Sequence, residues 1–195
     1  MLERLSEKFT GKLIKAGVIS EADADVYIYG FFQTIMMLLN VITTLLLGIL
    51  FKLLVPCILL NLSYIPIRTN AGGHHASSPF KCYINSAIII AVLLSIIKWV
   101  AIPTLIIIAI LFVSSVTILI LAPVETENNL LDEDEKRVYK KRSIIISGIE
   151  IIVFIFSLVL NQKLVAEIIA LGLFTECLML ITGYVKNHNL LKLKS

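Results

Sequence analysis

The stretch Arg68-Thr-Asn-Ala-Gly-Gly-His-His-Ala-Ser-Ser-Pro-Phe-Lys-Cys82 gathers two of the chain's three histidines, a glycine pair and the one cysteine in a polar setting. A thiolate nucleophile, with an imidazole to activate it and later protonate a leaving amine, is the pair a cysteine peptidase uses. Cys82 supplies the thiol, and His74 and His75 compete for the role of base. His75 and Cys82 stand seven positions apart. On one straight helix that separation is ~10.5 Å along the axis, too far for a hydrogen bond, so the chain must bend between them. Gly72-Gly73 permits unusual backbone angles, and Pro79 stops any helix coming through from His75. Ser78-Pro79 reads as an N-cap followed by proline at the first helical position. The sequence therefore predicts a helix starting near Ser78, with Cys82 in its first turn, where the helix dipole favours the thiolate. One continuous helix over 72–85 would contradict this.

Other chemistry fits the same residues. Two adjacent histidines and a cysteine suggest a metal site, but the spacing is not that of a zinc-ligand set and no fourth ligand is in view. They also fit as incidental loop residues. Arg68 is the only charge just before the glycines. It suits a substrate carboxylate, or the loop's own carbonyls, or a snorkelling position at a helix end. Cys57 and Cys177 lie in apolar blocks, where a thiol serves as a small hydrophobe. No cofactor or metal is called for.

The elements that must position these groups belong in lipid. Hydrophobic residues make up 58% of the 195 and charged residues 16%, against roughly 25% charged in soluble domains. The apolar residues come in unbroken blocks near 27–50, 52–67, 83–98, 100–122, 144–161 and 164–185. These predict an all-α polytopic membrane protein of about six transmembrane helices. The second and third blocks are short, so a four-span arrangement with two re-entrant segments is the alternative. Residues 1–16 read as an amphipathic interfacial helix, with Leu2, Leu5, Phe9 and Leu13 at helical spacing opposite basic residues. The same residues also suit a solvated lead-in to the first span. They contain no continuous apolar stretch of the kind a signal peptide carries.

With six spans and the N-terminus inside, Lys52, Lys98 and Lys163 fall outside and the other fourteen of the seventeen Lys and Arg residues fall inside, as the positive-inside rule expects. The protein is thus expected in the cell membrane, with both termini and the 68–82 loop cytoplasmic. A single membrane domain covers 1–195, and 123–143 is a charged cytoplasmic loop, acidic first and basic after. Its basic run, Lys136 to Arg142, serves as a topology signal or as an attractor for an acidic peptide tail. The basic residues sit between apolar blocks, so nucleic acid is not an expected partner. Glu150, Glu167 and Glu176 lie in apolar blocks, where ionisable groups are costly and commonly functional. Glu176 suits a third catalytic member orienting the histidine, or a partner for a basic group. Asn70 and Asn85 are equally arguable, and the oxyanion hole is unassigned.

The run Arg68…Ala71-Gly72-Gly73-His74-His75-Ala76…Cys82 resembles the accessory gene regulator protein B (AgrB) family of Gram-positive bacteria. Ala122-Pro123-Val124-Glu125-Thr126-Glu127-Asn128, with the acidic-then-basic run after it, resembles that family's central loop. The resemblance covers nearly the whole chain. It implies a membrane cysteine endopeptidase of quorum-sensing peptide maturation. Such an enzyme removes the C-terminal tail of a propeptide of the AgrD type through an acyl-enzyme thioester and promotes cyclisation to a thiolactone or lactone. It further implies Cys82 as nucleophile and His75 as base, with Arg68 and Gly73 at motif positions, His74 at a variable one, and a homodimer. The competing function is a non-enzymatic transporter or export accessory drawing on Gln33, Asn40, Asn61 and Glu176. It leaves the clustering at 68–82 unexplained, and the internal repeat of many transporters is not evident.

Overall fold

In the computed structural model, which describes residues 2–74, 78–125 and 131–194, the protein is all-α. Helix α1 spans Leu2–Lys15, α2 Ala24–Leu50, α3 Leu54–Ala71, α4 Pro79–Trp99, α5 Thr104–Leu121, α6 Glu133–Val159 and α7 Lys163–Lys194. Among the described residues, five helices are long and apolar enough to cross a membrane: Glu21–Leu50, α4, α5, α6 and Lys163–Asn187. The third block is therefore not short. Helix α4 begins four residues before the block does, and with 21 residues it extends ~31 Å, enough for the hydrocarbon core.

The second block does not join the five. Helix α3 is continuous over 18 residues, but Asn61, Ser63, Tyr64, Arg68 and Asn70 lower its hydropathy. Six full crossings are thus not established. The expected 123–143 loop is also shorter than its charge pattern suggests. Helix α6 takes up everything from Glu133. Asp132 caps it by accepting from the Glu135 amide at 2.7 Å, and the Glu135 carboxylate accepts from the Asp132 amide at 3.1 Å. This reciprocal box satisfies two otherwise orphaned donors, so the basic residues from Lys136 to Arg142 ride on the first turns of a helix.

Helix α7 is the centre of the bundle. Of its apolar window 67% is buried, against 17–28% for the other four. It packs against α3, α5 and α6 and touches α4. Its small residues allow this closeness: a Cβ on Gly172 would stand 2.6 Å from Ser63 Oγ on α3. Ser63 in turn donates to Glu150 of α6 at 2.8 Å, giving that intramembrane carboxylate a partner. The outer helices present large apolar side chains, among them Leu50, Leu105, Phe112 and Val159, the surface that lipid covers. Helix α1 lies on α2 with its small polar residues Ser6 and Thr10 turned inward, while Leu5 and Phe9 remain exposed. That orientation suits a helix whose apolar stripe meets lipid.

Candidate functional site

The predicted start of α4 is present. Ser78 adopts extended backbone, its hydroxyl accepts from the Lys81 amide at 3.3 Å, and Pro79 takes the first helical position. Cys82 thus sits in the first turn, half-buried, with its amide donating to the Ser78 carbonyl at 3.1 Å. The next residue, Tyr83, hydrogen-bonds Thr43 of α2 at 2.7 Å, which holds this end of α4 in place. Cys57 and Cys177 are buried in the bundle.

Upstream, α3 carries Arg68 on its last turn and ends at Ala71, so Arg68 is helical and the chain leaves the helix at Gly72. Gly72 and Gly73 have φ of +77° and +105°, angles that residues with a Cβ rarely adopt. The chain then makes a short parallel bridge with the segment after α5: the Val124 amide donates to Ala71 O at 2.9 Å and the Gly73 amide to Val124 O at 3.2 Å. The His74 amide donates to the Met179 carbonyl of α7 at 2.8 Å.

Arg68 closes this loop from within. Its guanidinium donates to the carbonyls of Gly72 and His74. It also lies 3.9 Å from the Glu176 carboxylate, which is fully buried. Of the roles open to Arg68 in the sequence, the loop's own carbonyls are the observed partners. Of those open to Glu176, pairing with a basic group is the observed one. His74 lies between burial and two cations, Lys186 and Arg68, and these together push its imidazole pKa below the ordinary value, burial most strongly. His75 lies outside the described residues, as do Ala76, Ser77 and the Thr126–Asn128 part of the central motif.

The model of the Accessory gene regulator B family matches residues 6–180. The chain belongs to the accessory gene regulator B family. Accessory gene regulator protein B of Staphylococcus carnosus (strain TM300) is 32% identical over 110 residues, covering 56% of this chain and 58% of that protein. The match thus spans less than two thirds of the relative's length. No solved structure matches the chain. The apolar helices suit a location in the cell membrane.

Several residues that build the site carried no signal as isolated letters. Tyr64, one helical turn before Arg68, lies within range of charge interaction with Arg68, Glu176 and Cys82. Gly183 of α7 is where the loop touches down: a Cβ there would stand 2.7 Å from both the Gly73 carbonyl carbon and the His74 nitrogen. Asn187, one turn further on, donates to the Glu125 carbonyl. The Glu125 carboxylate accepts from the Leu131 amide at 3.1 Å and pairs with Lys136 at 3.2 Å. Spacing was the available signal, since 176, 180, 183 and 187 recur on one face of a helix.

Proposed function

We propose that this protein is a membrane-embedded cysteine endopeptidase that removes the C-terminal tail of a quorum-sensing propeptide and cyclises what remains. The observation that carries this reading is the placement of Cys82. It is half-buried in the first turn of α4, four residues beyond the N-cap Ser78. Only three residues separate that N-cap from His74, whose backbone is held by α7 and Arg68.

In the proposed reaction the Cys82 thiolate attacks the scissile carbonyl. The C–N bond breaks, the leaving amine takes the proton that His75 removed from the thiol, and the peptide stays as a thioester on Cys82. A thiol or hydroxyl within the peptide then attacks that thioester. Cys82 leaves as the thiolate and recovers the proton by way of His75, and the product is a cyclic thiolactone or lactone. Exchanging one thioester for another changes little free energy, so the enzyme's task is to exclude water and hold the attacking group close. A site between apolar helices favours both. The reading further places both termini and the 72–78 loop on the cytoplasmic face. It takes the substrate to be an AgrD-type propeptide lying on that leaflet, and the working form to be a homodimer.

The test is co-expression with such a propeptide, comparing wild type with Cys82→Ala, His75→Ala and His74→Ala. Tail release is expected to disappear in the first two and persist in the third. Continued release by Cys82→Ala would end the peptidase reading, and loss in His74→Ala with retention in His75→Ala would reverse the two histidines.

A further inference from the structure

Glu176 is the most completely enclosed carboxyl group among the described residues, and neither of its oxygens has a hydrogen-bond partner there. A carboxylate in such a place is costly and persists where a compensating group holds it. The compensating group is Arg68, 3.9 Å away, but Arg68 spends its donors elsewhere, on the carbonyls of Gly72 and His74. The labour is divided: the loop carbonyls take the hydrogen bonds, and the Glu176 carboxyl is the acidic group set against the same guanidinium. Two neutral carbonyls do not neutralise a guanidinium that is itself only 16% exposed. Without the carboxylate, the cation gains by swinging toward water and releasing both carbonyls. The same face of α7 receives the loop. The Met179 carbonyl accepts the His74 amide, and Gly183 leaves room where any side chain would strike Gly73 and His74.

We propose that Glu176 is a positioning residue of this site, acting through Arg68 to set the backbone that leads to His75, with the Glu176–Gly183 face of α7 as the seat on which that backbone rests. The inference deepens the peptidase reading and rests on it for its catalytic consequence. Its structural content is tested without substrate.

Hydrogen exchange on the full-length protein in lipid reads the Gly73 and His74 amides directly. In Glu176→Gln both are expected to exchange ~10-fold faster or more, with the core of α5 unchanged. Arg68→Lys keeps the charge but loses the fork, and is expected to speed the same amides to a similar degree. If Glu176 works through Arg68, the double variant exchanges within about twofold of the faster single one. Tail cleavage per folded enzyme is expected to fall ~10-fold in kcat for Glu176→Gln while KM stays within about twofold. Unchanged protection of Gly73 and His74 in either single variant, or additive effects in the double, would overturn the proposal whether or not the protein is a peptidase. Cleavage by Cys82→Ala would instead remove the catalytic reading and leave the loop's support standing on its exchange data.

Discussion

Replacing Gly73 with alanine loads the loop at its tightest point. At φ of +105° a residue bearing a Cβ is strained by about 1–3 kcal/mol. The new carbon would also lie 2.6 Å from Arg68 Nη1 and 2.8 Å from the Met179 carbonyl oxygen. The arginine is a side-chain end but is pinned by its two carbonyl acceptors, and the Met179 oxygen belongs to the backbone of the most buried helix. The loop must therefore yield. Reaching ordinary contact at 3.4 Å from 2.8 Å moves it away from α7 by about 0.6 Å. Displacements approaching 1 Å at a reacting centre cost about 100-fold, and each ~1.4 kcal/mol of strain about tenfold. Gly73→Ala is thus expected to cut tail cleavage by roughly 10- to 100-fold per folded enzyme. The assay is release of the C-terminal tail from a synthetic propeptide by purified protein in lipid, normalised to the monodisperse fraction. Gly148→Ala is the control, since a Cβ at Gly148 meets nothing within 4 Å, and its rate should match wild type. A Gly73→Ala protein that folds and cleaves at the wild-type rate would refute the idea that the loop has no room for a methyl group against α7.

Two further outcomes follow from the same contacts. Ser78→Ala removes the cap that the Lys81 amide donates to. The cost is about 1 kcal/mol, read as roughly fivefold faster hydrogen exchange in the first turn of α4, and unchanged exchange there would show that the cap does not hold the turn. His74 takes up its proton at a lower pH in the folded protein than its ordinary 6.5, so the unfolded chain binds more protons as pH falls through that value. Stability linked to His74 is then present above about pH 6.5 and declines below it. His74→Asn should flatten the fall in apparent melting temperature between pH 7 and pH 5, and a profile parallel to wild type would contradict the assignment.

Much of this protein is set by short-range rules and is therefore legible in one dimension. Unbroken apolar blocks specify helices in lipid because no other open structure satisfies the backbone there. Ser78-Pro79 marks the start of α4, and so the turn that holds Cys82, because capping involves residues three apart. Gly72-Gly73 announces the bend because only glycine takes such angles freely. The family is legible in the same run and in the Ala122–Asn128 motif, and its model matches residues 6–180. The tertiary structure decided the rest. Charge pattern suggested a loop through residue 143, yet the Asp132–Glu135 box lets helix α6 begin at Glu133. Glu176 had several candidate partners in the sequence, and only the packing of α7 against α3 set it beside Arg68. Gly183 and Met179 are ordinary letters until α7 meets the chain leaving α3. Such pairings depend on which faces come together, and helical periodicity ranks faces without naming their partners.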